Sequence, residues 1–592
     1  TAHEFVRDCG AAALVTVNAG SGTPEMAAEW CRWAKKQGYV VRYWEVGNEL
    51  EGEWEVGHHL PGGGKMTAKI YAQRFVEIAK AIKAVDPEAK VGGPAASNDG
   101  IVFGDAILEQ AGDLVDFISY HTYPVGGGET DPAKIFARAD SVKGGIKKWR
   151  ARIQEMVPER ADEIEIGITE WHVAVHEGPN TVNEISGPWS AKWIGRMIEA
   201  GVDFANVWDF LSQTQDGGHG IFGRDEALTP RGAFWAMQLW GREMSGTMLE
   251  TTVEGGTGVS AFASRGKTEG GVSLLVINES ATDPATVQLA LGGEAVTGTV
   301  RSHELSTANY LWDDHRKEPV WSEPLIERVA IADEAGTVEV PPLSATVFHL
   351  GEKAGAEEVT DRAQPEPAFV GPEEQARDIP FPGWVVLRDP TTGKPYTGPA
   401  QKVTVTTTGP LEIEGEREIT VHRAAELVRV SPTGAGEGEI LVTTASGVAS
   451  RHSVHVQEVK VTPKVLWSFE EESQLEGMHS SFTLSHTTDN EFRKGVAEID
   501  VSRLADSDES KDRNRLLEIK SLPPFEKQHT SGITFRLRAP EDFSQGGKVT
   551  AVLLSKANHW MPLGSIKLAD VGEKWQQHEI RVENPEWFPA MS

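Results

Sequence analysis

The chain has 592 residues, with 57 Lys and Arg against 88 Asp and Glu, a formal net charge of −31. That charge repels polyphosphate and anionic membrane surfaces, so nucleic acid is not an expected partner, and no run approaches the roughly 18 apolar residues that a membrane span needs. Hydrophobic residues at 39% and charged residues at 24% are ordinary for a globular chain, and the length predicts three to five domains, or one barrel with appendages.

Along residues 1–245, short apolar runs alternate with amphipathic ones. Strands are expected at 12–18, 40–47, 90–94, 115–120, 164–169 and 204–209. Tyr71, Phe75, Ile78, Ile82 and Val85 step by 4, 3, 4 and 3, one apolar helix face, and the helix should stop before Pro87. Asp131-Pro132 and Thr229-Pro230 each read as an N-cap followed by Pro at the first helical position. The alternation predicts an α/β fold: a parallel sheet with crossover helices. If the sheet closes as a (β/α)8 TIM-type barrel, six strands are two short of eight, and two strand–helix units are expected before Thr1. The chain starts with Thr rather than Met, and no signal peptide is visible. Cys9 and Cys31 are the only cysteines; they exclude a disulfide framework and a four-cysteine metal site, and both are expected as buried free thiols. His58-His59 has no further ligand at a spacing that completes a tetrahedral set, so neither metal nor cofactor is expected.

After residue 245 the texture becomes β-rich. Residues 246–351 read as a β-sandwich, and 352–397, acidic and Pro-containing at its start, as a linker. Alternating Thr/Val runs make 398–459 a small immunoglobulin-like domain. Residues 460–592 are again all-β. Asn278-Glu279-Ser280 matches an N-glycosylation sequon.

The chemistry concentrates in two segments. Trp44-Glu45-Val46-Gly47-Asn48-Glu49 and Ile166-Gly167-Ile168-Thr169-Glu170-Trp171 each run an apolar strand into a Glu. Two carboxylates at the C-terminal rim of a parallel sheet are what glycosidic bond cleavage needs: one protonates the leaving oxygen, the other attacks or activates water. Glu45 competes with Glu49, because alternate residues of a barrel strand face the lumen, but it sits deeper. Glu51, Glu53 and Glu55 read as loop charges.

These segments resemble the retaining glycoside hydrolases built on (β/α)8 barrels. The stretches VTVNAGSGTPEMAAEWCRWA and YWEVGNELEGEWEVG, with VGGPA at 91–95 and SYHTYP at 119–124, look most like family 51, the α-L-arabinofuranosidases and related endoglucanases; family 39 is close. The resemblance covers about residues 1–350. It implies Glu49 as general acid/base, Glu170 as nucleophile, and Asn48 as a ligand for the sugar 2-hydroxyl. It also implies His121, Tyr123 and Trp208 around the sugar. Asn18 stands at a strand end, to bond sugar hydroxyls or to make a turn; Trp171 stacks on a sugar face or packs beneath it. The family commonly carries Glu-Trp-Asn at the nucleophile, where this chain has Glu170-Trp171-His172. The C-terminal segment, with Trp467, Trp560 and Trp575, resembles jelly-roll carbohydrate-binding modules, in which exposed aromatics stack on sugar rings; an accessory sandwich with these Trp in its core is the other reading.

The expected function is therefore secreted, periplasmic or cell-surface hydrolysis of a neutral plant or algal polysaccharide, arabinofuranosidase-like. An endo-acting β-glucanase or xylanase is the alternative on the same scaffold, and a non-catalytic carbohydrate-binding protein the alternative of another class. Oligomeric state is left open.

Overall fold

The computed structural model describes residues 2–458 apart from 98–99, 127–128, 176–177, 212–217, 267–270, 352–363 and 378–379; beyond 458 it describes eight strands. The first unit carries β1 (Ala13–Val17), β2 (Val41–Val46), β3 (Lys90–Ala96), β4 (Phe117–Thr122), β5 (Glu165–Trp171) and β6 (Phe204–Val207). All six pair in parallel, in chain order. Its helices are α1 (Ala2–Asp8), α2 (Pro24–Lys36), α3 (Ala68–Val85), α4 (Ile101–Ala111), α5 (Pro132–Arg138), α6 (Val142–Met156), α7 (Pro179–Val182), α8 (Ser186–Ala200) and α9 (Gly232–Glu243).

The periodicity of α3 is its cause. Thr67 caps it by accepting from the Ile70 amide, and Tyr71, Phe75, Ile78 and Ile82 form its buried face. The helix ends at Asp86, before Pro87. Asp131 likewise caps α5 through the Ala133 amide. Thr229-Pro230 does not cap α9. That helix starts at Gly232 with Arg231 at the cap position, because Thr229 and Pro230 are drawn into backbone contacts with Gly223 and Phe222. Cys31 is buried, but Cys9 is exposed at the end of α1; both are free thiols.

The sheet is strongly curled. Strands four places apart in a flat sheet would lie about 19 Å from each other, yet the rings of Tyr43 on β2 and Phe204 on β6 have centroids 4.5 Å apart. Phe117 of β4 completes the layer, 5.6 Å from Tyr43 and 5.4 Å from Phe204. Alternate strands thus fill one interior layer, and glycines on the strands between make room for it. A Cβ on Gly92 would lie 2.4 Å from Phe117 Cγ, and one on Gly167 2.3 Å from Phe204 Cζ. The layer sits at the strand starts and plugs that end. β1 and β6 are the edges of the described sheet, and α1 reaches between them: His3 stacks on Tyr39 before β2, and Phe5 meets Phe210 after β6.

The core of this unit runs without a break into the following β-sandwich, where Phe262, Leu275, Ile277, Leu305 and Val347 join it. Trp240 of α9 packs on Phe262 at 5.7 Å, and Tyr310 Oη donates to Val182 O of α7. The sandwich has a six-stranded sheet that includes Val259–Arg265, Val272–Asn278, Gly298–Leu305, Ile326–Ala332 and Ser344–Leu350. The sequon residue Asn278 is buried, its amide donating to Asp283 O and Val340 O, so it is a structural turn residue.

The segment expected as a linker contains Glu366–Val370, Glu374–Ala376 and Phe381–Arg388, strands of the next two-sheet sandwich. That sandwich therefore starts near residue 366, not 398. The acidic, Pro-bearing start of the segment had masked a β-branched run, Trp384-Val385-Val386-Leu387, whose last three members are fully buried. Arg423 of this unit reaches the first sandwich and bonds both oxygens of Glu304, at 3.0 and 2.9 Å; Ser306 Oγ also donates to Glu304, and Arg328 lies 3.3 Å away. Burial opposes the Glu304 charge, but the two arginines win and hold its pKa below the usual range.

Glu304→Ala strands two guanidinium groups and is expected to cost about 3–5 kcal/mol in urea unfolding. A group with a depressed folded pKa contributes stability above its unfolded pKa and loses it as pH falls. The difference between wild type and variant should therefore be full at pH 7 and shrink below about pH 4. Past residue 458, the strands occur in two-stranded pairs; Trp467 and Trp575, on which the carbohydrate-binding reading rests, lie outside the described residues, and no side-chain description reaches Trp560.

Candidate active site

The C-terminal ends of β2, β4 and β5 converge. Three residues past β2, Glu49 takes φ +45°, an uncommon conformation for a residue with a side chain, held where surroundings over-determine it. Its amide donates to Ala95 O at 2.9 Å, and the Ala95 amide donates to Ser119 Oγ of β4 at 3.0 Å. The turn that bears Glu49 is thus tied through β3 to β4. On β4 a register shift between Tyr120 and His121 brings His121 level with Glu170 of β5. Such irregularities re-aim side chains at sheet ends.

His121 is the hinge of the cluster. Its Nδ1 lies 2.7 Å from Glu49 Oε1 and 3.3 Å from Glu170 Oε2. Tyr123 Oη donates to Glu170 Oε2 at 2.7 Å, and Trp54 Nε1 donates to Glu49 Oε2 at 2.7 Å. One oxygen of Glu49 and one of Glu170 lie within 4.8 Å of each other. Both carboxylates keep a little solvent exposure, whereas His121 has almost none.

Burial raises the Glu170 pKa, with the charges of Glu49 and Glu45 adding to it; the His121 charge and the Tyr123 hydrogen bond oppose it. For His121, burial disfavours the cation, but the bond to Glu49 and the charges of Glu170, Glu49 and Glu45 prevail and raise its pKa. Glu45 is 2% exposed beneath the site; burial raises its pKa, and Thr16 Oγ1 donates to it at 2.9 Å. Glu49, His121 and Glu170 together offer three donor atoms that could chelate a cation; an ion there would engage both carboxylates.

Tyr123→Phe removes a donor that favours the Glu170 carboxylate. The acid limb of kcat/KM is expected to move up by about one pH unit, with a loss at the optimum of roughly 10–100-fold. A pH–rate profile of the variant checks this, and an unmoved limb would remove Tyr123 from that role.

The other expected residues divide. Asn48 is half-buried and donates to Glu55 Oε1 at 3.3 Å, so Glu55 is a positioning partner rather than a free loop charge. Glu51 is engaged too, accepting from the Ser97 amide and hydroxyl. Asn18 folds onto its own turn: its Oδ1 accepts from the Gly20 and Ser21 amides, its Nδ2 donates to Ser21 Oγ, and Arg74 clamps the same turn through Ala19 O and Gly22 O. Trp171 is 2% exposed and packs in the core, matching the packing alternative rather than sugar stacking. Trp208 is 44% exposed after β6. His172 is fully buried; burial, then His219 and Arg231, hold it neutral. Trp54 was not singled out in the sequence. Its only signal there is an aromatic five residues past Glu49, and the loop's shape makes it a ligand of that carboxylate.

Residues 53–215 match glycosyl hydrolases family 39. Over 92 residues the chain is 37% identical to an intracellular exo-α-(1→5)-L-arabinofuranosidase of Bacillus subtilis, covering 15% of this chain and 17% of that protein. Over 273 residues it is 24% identical to heparanase-like protein 1 of Arabidopsis thaliana, covering 45% of this chain and 48% of that one. In both cases less than two thirds of the relative is spanned. An α-L-arabinofuranosidase from Thermotoga maritima, solved with arabinose, is structurally similar at a TM-score of 0.46 and 21% identity, over 59% of this chain and 77% of that one. The chain is thus similar to retaining glycoside hydrolases near families 39 and 51.

Proposed function

We propose that this protein is a retaining glycoside hydrolase, arabinofuranosidase-like in specificity, on a (β/α)8-type barrel frame. The carrying observation is the pair of carboxylates at the C-terminal ends of β2 and β5, which the curl of the sheet brings together with oxygens within 4.8 Å. That approach is short of the roughly 6.5–9.5 Å that inverting enzymes keep for an intervening water. In this reading Glu170 attacks the anomeric carbon while Glu49 gives its proton to the leaving oxygen. The Glu170 charge vanishes in the ester, and Glu49 then takes a proton from the incoming water, whose oxygen displaces Glu170. Tyr123 and His121 favour the Glu170 carboxylate against the effect of its burial and aim it; Trp54 orients Glu49. Asn48, steadied by Glu55, is the proposed 2-hydroxyl ligand, with Trp208 at the rim; Asn18 shapes the turn after β1.

The exo-arabinofuranosidase reading draws on the relatives' printed activity. An endo-acting β-glucanase or xylanase is the alternative on the same site. His121, 2.7 Å from Glu49 Oε1 and 3.3 Å from Glu170 Oε2, ties the two carboxylates into one cluster, which supports catalysis over a non-catalytic sugar-binding role. The proposed substrate is a neutral polysaccharide or its oligosaccharides, and no described helix is long and apolar enough to cross a membrane. Action on intact polymer implies work outside the cell, as the sequence reading expects; action on short fragments fits the relative named intracellular.

The test is product analysis on arabinoxylan, mixed-linkage glucan and cellulose, with Glu170→Gln as control. Arabinose alone supports the exo reading, and oligosaccharides the endo alternative. Products equal in wild type and control would overturn the assignment of Glu170.

A further inference from the structure

Away from the proposed active site, α9 ends against the first sandwich at a second cluster of ligating side chains. Glu243 is the last residue of α9. His303 lies on Gly298–Leu305, and His349 on the neighbouring strand Ser344–Leu350. The donor atoms form a nearly equilateral triangle: His303 Nδ1 to His349 Nε2 is 3.1 Å, Glu243 Oε2 to His349 Nε2 is 3.2 Å, and Glu243 Oε2 to His303 Nδ1 is 3.3 Å.

Hydrogen bonding alone does not satisfy this triangle. A ring nitrogen carries at most one hydrogen and an ionised carboxylate none. Two hydrogens at most serve three edges, and if both ring nitrogens carry one, the edge between them opposes two N–H groups. A metal ion in the middle satisfies all three atoms at once. With metal–ligand bonds of about 2.0–2.2 Å, donors at octahedral to tetrahedral angles stand roughly 2.9–3.5 Å apart, which brackets the three separations. The other nitrogen of His349 is already oriented, with Ser273 Oγ 3.2 Å from Nδ1, as metal-bound imidazoles usually are. Glu243 and His303 are 15% and 13% exposed at the side chain, His349 only 7%. An ion would have an entry path, with its remaining positions on the solvent side.

We propose that Glu243, His303 and His349 form a divalent transition-metal site, of the zinc class by its two imidazoles and one carboxylate, that staples the last helix of the catalytic unit to the sandwich. The ion binds the folded seam and not the separated elements, so it stabilises their docking by linkage. The sequence conceals the site because its ligands stand 60 and 46 residues apart.

The full chain, stripped with chelator, is titrated with Zn²⁺ by calorimetry and with Co²⁺ by visible absorption. Loss of an outer partner of a metal ligand already weakens binding about 10–100-fold. Glu243→Gln, His303→Ala and His349→Ala should therefore each weaken one equivalent by roughly 100-fold or more. A Glu49→Ala/Glu170→Ala variant, which removes the other candidate donors, should keep that equivalent. Zn²⁺ should also raise the unfolding temperature of the wild type and not of Glu243→Gln, which preserves side-chain shape and decides the matter if a histidine variant fails to fold. The same stoichiometry and affinity in wild type and Glu243→Gln, or no binding by wild type, would overturn the proposal.

Discussion

Glu170→Ala is expected to lower kcat on an aryl arabinofuranoside by at least about 10⁴-fold, and azide is expected to restore turnover. The substitution leaves a space where the proposed nucleophile stood, on the side of the anomeric carbon away from the leaving group. Azide can enter it, form the carbon–nitrogen bond and expel the aryloxide. One displacement inverts configuration, so the product should be the inverted glycosyl azide. Product stereochemistry by NMR reads this directly. A retained azide would mean that Glu170 and Glu49 have exchanged roles.

The companion result concerns Glu49→Ala. Proton transfer to the leaving oxygen is worth about 10²–10⁴-fold, and only where that oxygen needs a proton. An unactivated glycoside should therefore lose roughly that factor, whereas a dinitrophenyl glycoside should form the glycosyl–enzyme at near wild-type rate. Release of the sugar then becomes slow, because no base activates water, and a burst of dinitrophenol should precede a slow steady state. Azide should relieve that state and give the azide of retained configuration. Equal losses on both substrates would show that Glu49 does something other than donate a proton.

The parallel strands were legible in the sequence because each is a short apolar run bounded by turn residues, and all six expected strands form. Glu49 and Glu170 were legible for the same reason: an apolar strand that ends in a carboxylate leaves that group at the rim. What stayed hidden depends on coordinates that local pattern does not encode. Trp54 reaches Glu49 only through the fold of its loop. The Asn18 amide is spent on its own turn. Thr229-Pro230 has the chemistry of a helix start, but the neighbouring loop recruits its backbone. Strands at 366–388 were lost because acidic, Pro-rich composition was averaged over a segment whose far half is core.

His121, set between both carboxylates, has a calorimetric consequence. The negative charge on Glu170 is one of the forces that raise the His121 pKa. If Glu170 is the nucleophile as proposed, esterification by a mechanism-based inhibitor deletes that charge, and the histidine's proton affinity should fall, with proton release to solvent as the expected sign. The heat of inactivation should then vary with the ionisation enthalpy of the buffer, and the slope of that dependence counts the protons released.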